Sequence, residues 1–317
     1  MPFLGEILAL VVAVLWTISS LAAEVASKRY GSVLLNIVRM LLATVLIGVM
    51  LWALTGSPLP SFTSGEVWLW LGLSALTGYI IGDYYFLKCF VLIGARWGEL
   101  FMTVAPPVAA LTGWLMLGEQ MSWHGLVGMA ITLCGISMSV LSRQDGSRQF
   151  GLKLPLRAVV YGLIGGVGQG VGLVFSKQGM IFYQEQLTAA AAPTDHLQML
   201  MPFAATMIRC MVALVGFIAM YMVFRRTGHQ ARSWRVILND HQAFAYATVS
   251  TITGPLLGVA LALAATLYTT TGIAQTIMSL VPVLILWPSH LLFHQKITPL
   301  EVVGAIVSVC GVALFFL

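Results

Sequence analysis

Ten predominantly apolar stretches of roughly 20 residues follow one another along the chain. They fall near 5–24, 32–54, 66–88, 96–117, 122–141, 157–176, 201–224, 243–267, 270–292 and 299–317. A helix of about 20 residues crosses a hydrocarbon core of ~30 Å, so each run is the length of one membrane span. The runs are continuous, without the alternation of a barrel strand, which excludes a membrane β-barrel. Charge supports the same reading. Only 9% of the 317 residues are charged, against ~25% in a soluble domain. Too little polar surface remains to coat a water-soluble globule, so a soluble enzyme, a disordered chain and a nucleic-acid binder are all excluded.

The start of the chain, MPFLGEILALVVAVLW, has no Lys or Arg ahead of its apolar run. A cleavable signal needs a positive leading segment, so a retained first helix is expected. Cys89, Cys134, Cys210 and Cys310 are scattered through apolar stretches and read as small hydrophobes. The longer links are 55–65, the basic stretch 142–156, 177–200 and 225–242. One alternate set of links holds Lys28, Arg29, Lys88, Arg96, Arg143, Arg148, Lys153, Arg157, Arg225, Arg226, Arg232, Arg235 and Lys296; the other holds only Lys177. Basic residues mark the cytoplasmic side, which places both termini outside.

The chain also repeats itself. An offset of 176 aligns Pro106 with Pro282, Ser122 with Thr298, Gly128 with Gly304 and Gly135 with Gly311. It also pairs Gly78 with Gly254 and Gly82 with Gly258. At 170, Arg39 meets Arg209; at 149, the VASK ending at Lys28 meets the VFSK ending at Lys177. The shifts of offset fall in links, where insertions are tolerated. Five helices are therefore duplicated. Five is odd, so the two copies run through the membrane in opposite senses, an arrangement typical of transporters that bind solute between the halves.

With these features the chain resembles the drug/metabolite transporter superfamily, EamA type. The resemblance rests on the five-plus-five helices, the Pro-bearing fourth helix, the LMLGE at Leu115–Glu119 and the Gly-spaced helix after it. It covers essentially the whole chain. It implies an all-α integral membrane protein of ten helices in two inverted five-helix repeats, over 1–141 and 157–317, joined by a basic cytoplasmic linker at 142–156. It further implies a bacterial inner-membrane exporter of small metabolites such as amino acids or amphipathic drug-like compounds. The second copy departs from the pattern, with Gln295 in place of Glu119. The first helix has Trp16 where the small multidrug members carry a mid-membrane acid.

Polar side chains at membrane depth are costly and face a cavity or a partner. Trp16, Ser20, Glu24 and Ser27 share one face of helix 1. Under the offset of 149, Ser20 matches Gln169 of helix 6. Helix 3 offers Tyr79 and Asp83. Helix 4 offers Glu99, Thr103 and Pro106, matched on helix 9 by Gln275, Ser279 and Pro282. A substrate cavity is therefore expected from Trp16, Ser20, Tyr79, Asp83, Thr103, Gln169, Gln275 and Ser279, with Pro106 and Pro282 as hinges. The competing assignment for the hydroxyls and amides is plain interhelical hydrogen bonding. Glu24, Arg39 and Glu99, with Asp83, fall toward the cytoplasmic ends of their helices. Arg209 is the one charge retained at their repeat-two counterparts. This asymmetry predicts a charge network closing the inner mouth, an outer mouth with only Arg209 and neutral partners, and an outward-facing ligand-free state.

Other patterns carry less. His290 and His294 are four apart, but the intervening glutamate of a zinc-protease motif and a third ligand are missing. The run 162–172 is glycine-rich without the GK[ST] ending of a phosphate loop. Its Gly162, Gly166 and Gly170 suit close helix contact. No nucleophile elbow, paired catalytic acids or Walker motif occurs, and nothing calls for a cofactor or resident metal. Alternating-access transport is the favoured reading. Its partners are a small-molecule solute, the bilayer and a coupling ion, in a monomer or homodimer. The alternatives are a sugar or nucleotide-sugar exchanger of the same superfamily, or an integral membrane enzyme.

Overall fold

The computed structural model describes residues 3–141, 155–190, 194–227, 234–288 and 299–316. Among these the regular structure is helical, with no strand. The helices are α1 (Leu4–Tyr30), α2 (Ser32–Thr55), α3 (Gly65–Ala95), α4 (Trp97–Leu117), α5 (Trp123–Leu141), α6 (Leu156–Ala189), α7 (Thr194–Arg226), α8 (His241–Tyr268), α9 (Thr271–Pro288) and α10 (Pro299–Ala313). Eight of them are long and apolar enough to cross a bilayer; the apolar parts of α5 and α10 are shorter. Their outward faces are bare hydrocarbon: Leu115, Leu156 and Val215 are each at least two-thirds exposed. Trp52, Trp114 and Trp123, also exposed, stand near helix ends, where indole rings favour the bilayer interface.

Several expectations change. The stretch 177–200, read as a link, is mostly helix, because α6 continues to Ala189 and α7 starts at Thr194. Lys177 does not end α6, since its ammonium is satisfied inside the fold by Glu119 and the Thr269 carbonyl. Three prolines of α4 and α9 begin helical segments. Pro106 and Pro107 open Ala105–Leu117 after a 3-10 turn at Met102–Val104, and Pro282 opens Val281–Leu284. In a first turn the missing N–H costs nothing. The stretch 142–154, Arg232, His290, His294, Gln295 and Lys296 lie outside the described residues, and the Arg96 side chain is likewise undescribed.

Glycines set the closest approaches. A Cβ on Gly135 would lie 2.7 Å from the Gly304 carbonyl oxygen, and one on Gly311 would lie 2.9 Å from that of Gly128. Backbone therefore meets backbone where α5 packs against α10. Gly166 and Gly170 of α6 receive the carbonyls of Phe101 and Ala105 on α4, while Gly168 and Gly172 receive α3 at Thr77 and Gly78. α3 and α8 each contain a π-helical stretch, Ala75–Asp83 and Ile252–Val259. These two stretches match at the offset of 176.

Contacts also reset one register. Gln169 lies beside Gly82 and Trp16 beside Gly258; Gly172 lies beside Gly78 and Ser19 beside Gly254. Both comparisons relate α1 to α6 by 153, one helical turn from the 149 read from VASK and VFSK. Three hydrophobic clusters surround these crossings, and most of their members lie on α1–α3 and α6–α9. At one end of the bundle Arg29 of α1 donates to Asp240, which caps α8 by accepting from the Ala243 N–H.

Candidate functional site

Within the bundle α1, α2, α3, α4, α6 and α8 line a partly open cavity of about 70 Å³. Its wall includes Trp16 and Ser20 of α1, Arg39 of α2, Tyr79 and Asp83 of α3, Glu99 of α4 and Gln169 of α6. Phe86, Phe90 and Met102 supply apolar wall, and Gly254 and Val259 of α8 close it. Solute pockets run to roughly 300–1,000 Å³, so this space holds about two waters and no organic solute. The conformation is contracted, and a solute can enter only if helices separate.

The polar groups are joined in pairs. Gln169 Nε2 donates to Asp83 Oδ1 at 2.6 Å and to the Gly78 carbonyl at 3.0 Å. That carbonyl belongs to the π-helical stretch of α3, where the regular ladder is interrupted; in lipid such a group must be satisfied from within the protein. Arg39 Nη1 donates to Asp83 Oδ2 at 3.3 Å and to Asn36 Oδ1 at 3.2 Å. Asp83 therefore ties α2 to α6 across the cavity. On the opposite wall the Ser20 hydroxyl donates to Glu99 Oε1, and Glu99 is 4% exposed.

Of the eight residues expected to line the cavity, Trp16, Ser20, Tyr79, Asp83 and Gln169 do so, and Thr103, Gln275 and Ser279 do not. The reason is local for the hydroxyls. Thr103 donates to the Leu100 carbonyl and Ser279 to that of Gln275, each on its own helix. Gln275 is buried against its neighbours in α9. The hinge positions lie next to real breaks: the 3-10 turn precedes Pro106, and a turn at Ser279–Leu280 precedes Pro282.

The residues assigned to one inner gate are not linked by hydrogen bonds into a single network. Arg39 and Glu99 line the cavity, each with the partner given above. Glu24 lies a turn beyond Ser20, accepts from the Ala95 N–H at 2.9 Å and pairs with Lys28 at 2.5 Å. Ala95 follows Gly94, whose φ of 81° and ψ of 164° break the helix at the α3–α4 junction. Arg209 packs behind Tyr79, its guanidinium carbon 4.5 Å from the ring centre.

The opposite junction, α8 to α9, holds a group that sequence reading missed. Glu119 Oε2 accepts from the Thr271 N–H at 2.9 Å and from its hydroxyl, while Lys177 pairs with Glu119 Oε1 at 2.5 Å. Ala95 and Thr271 match at the offset of 176. At both matched junctions a glutamate paired with a lysine accepts from a backbone N–H at the helix break. The end of the bundle expected to carry only Arg209 and neutral partners thus also holds the Glu119–Lys177 pair. Each glutamate is remote in sequence from the junction it caps, so the only signal was the Lys177 left over in the charge count.

Among the described residues no group of three His, Cys, Asp or Glu is placed to hold a metal ion. The four cysteines are free, Cys89 and Cys210 buried, Cys134 and Cys310 on the outer surface.

Fold and site together define a multi-pass, all-helical membrane protein with a small, mainly apolar cavity in its bundle into which a few charged groups project. A family model, the EamA-like transporter family, matches twice, over residues 3–141 and 156–317. The chain belongs to the EamA-like transporter family. No curated protein matches it. A solved structure, described only as a crystal structure of a protein, aligns with a TM-score of 0.67 and 16% identity. The alignment covers 98% of this chain and 96% of that one. At that identity the likeness concerns the fold alone.

Proposed function

We propose that the protein is a secondary transporter that exports small amphipathic metabolites, amino acids among them, by alternating access. Ten helices, in two inverted repeats over 1–141 and 157–317, would rock about the central cavity. Both termini would lie outside, on a bacterial cytoplasmic membrane. The observation that carries this reading is the cavity itself. It is walled by α1–α4 of the first half and by α6 and α8 of the second, and charged and aromatic groups converge in it where lipid would otherwise forbid them. The two capped junctions support it further, because each fixes the start of a helix, α4 or α9, at one end of the bundle.

A sugar or nucleotide-sugar exchanger would need more cations around the cavity than Arg39 and the screened Arg209. An enzyme would need catalytic groups converging on an accessible pocket, whereas each carboxylate here is already engaged. Flux into sealed proteoliposomes tests the proposal, with solutes chosen by a toxicity screen of amino-acid analogues and dyes in an overexpressing strain. Saturable, protein-dependent movement is expected. Chemical conversion of a solute without translocation would refute it in favour of an enzyme.

A further inference from the structure

Two arginines are buried inside the bundle, and they occupy matched positions. Arg39 is neutralised by Asp83 at 3.3 Å. Arg209, 4% exposed, makes no ion pair or hydrogen bond among the described residues; the carboxylate that feels its charge, Asp83, is already held by Arg39. Its guanidinium lies over the face of Tyr79 and beside Gly78, and its Nε, like that of Arg39, is buried without a partner. A cation–π contact recovers only part of what a guanidinium loses on leaving water. A buried guanidinium whose nearest carboxylate already serves another arginine is only partly compensated.

The repeat shows what is missing. Asp83, the partner of Arg39, matches Val259 at the offset of 176. Val259 lines the same cavity and packs against the apolar cluster that α7 helps to build. The second half therefore keeps the arginine and replaces its carboxylate with a side chain that cannot neutralise it. Tyr79 stands between the guanidinium and the cavity.

We infer that Arg209 is the receptor for a carboxylate group on the transported solute, and that Tyr79 is the ring that covers it while the site is empty. A guanidinium presents paired donors that fit a carboxylate in a bidentate manner. When the Tyr79 ring turns aside, the fork faces the cavity. The solute's apolar body then meets Trp16 and Phe86, and an ammonium group, where present, reaches Glu99 and Ser20. The solute class is an amphipathic carboxylic acid, zwitterionic amino acids included. This rests on the transport reading above, and it adds a residue and a chemical group to it.

The test is thermal unfolding of the full chain in detergent micelles with matched probes. 3-Phenylpropionate and L-phenylalanine carry the carboxylate; 3-phenylpropionamide and L-phenylalaninamide do not. The carboxylates should raise the wild-type Tm by several degrees and the amides by far less. Arg209→Gln should abolish that difference, and Arg209→Lys, which keeps the charge but loses the fork, should weaken carboxylate binding about tenfold. Val259→Asp supplies the missing carboxylate from within and should abolish the response while Arg209 remains. It also carries the test should Arg209→Gln fail to fold.

Equal stabilisation by acids and amides, no stabilisation by the acids, or an unchanged acid preference in Val259→Asp would overturn the assignment. Sulfate acting as strongly as 3-phenylpropionate would also overturn it, by showing a general anion site. Proteoliposome flux of the carboxylates that is indifferent to Arg209→Gln would leave transport standing and remove this inference alone.

Discussion

At the scale of single residues the cavity depends on charges that are neutralised locally. Asp83→Asn leaves the Arg39 guanidinium buried without an anion, which costs about 3–5 kcal/mol. A Tm lowered by many degrees is therefore expected in micelles. The double change Asp83→Leu with Arg39→Met removes both charges and should recover most of that loss. A double variant as unstable as the single one would show that Asp83 does something other than neutralise Arg39. Outside the membrane Asp240 behaves differently. The Ala243 N–H and the Arg29 guanidinium hold its carboxyl below the ordinary aspartate value. The native form thus binds its proton less readily than the unfolded chain. The stabilisation is complete above the unfolded value, near ~3.9, and is lost as pH falls through the lower native one. Asp240→Asn should therefore lower Tm at pH 7, and the gap to wild type should close in strong acid. A gap that widens in acid would contradict the sign.

At the scale of helices the glycines make the sharpest claims. Gly135→Val drives a side chain into the α10 backbone at Ser308 and Gly304. Gly72→Ala points into open space. The first should lose folded yield and several degrees of Tm; the second should match wild type or gain slightly from helix propensity. Equal behaviour of the two would contradict the close packing of α5 on α10. Much of this level was legible in advance. The repeat placed Gly128, Gly135, Gly304 and Gly311 in register, and the small-residue spacing of α6 announced a close neighbour. The polar face of α1 led to Trp16 and Ser20. What stayed hidden depended on distance in the chain. The Glu119–Lys177 pair and the Thr271 cap join three helices, and no local period signals them. Thr103 and Ser279 looked like cavity residues because a hydroxyl satisfied by its own helix and one facing a cavity have the same spacing. The π-helical stretches kept the apolar pattern of an ordinary helix. The offset of 149 followed a likeness of four residues, while packing followed the glycines one turn away.

At the scale of the whole molecule the proposed transport cycle would use the small cavity and the two capped junctions together. Glu24 with Lys28 fixes the start of α4 at one end, and Glu119 with Lys177 fixes the start of α9 at the other. Transport requires these ends to open in turn. Glu119→Gln weakens one cap and should favour opening at that end, with Glu24→Gln favouring the opposite end. On the proposed orientation two similar caps, one at each end, would compete to set the resting state. The most direct test uses Ala95→Cys and Thr271→Cys, matched positions that are both fully buried, each in a chain with its four native cysteines replaced by alanine. The measurement is the rate of thiol labelling at each site in proteoliposomes, with and without a transported solute. The account expects the solute to raise the rate at one site while lowering it at the other, and each Glu→Gln change to shift that balance toward its own end. Rates that rise or fall together, or that ignore the solute, would contradict alternating access about this cavity.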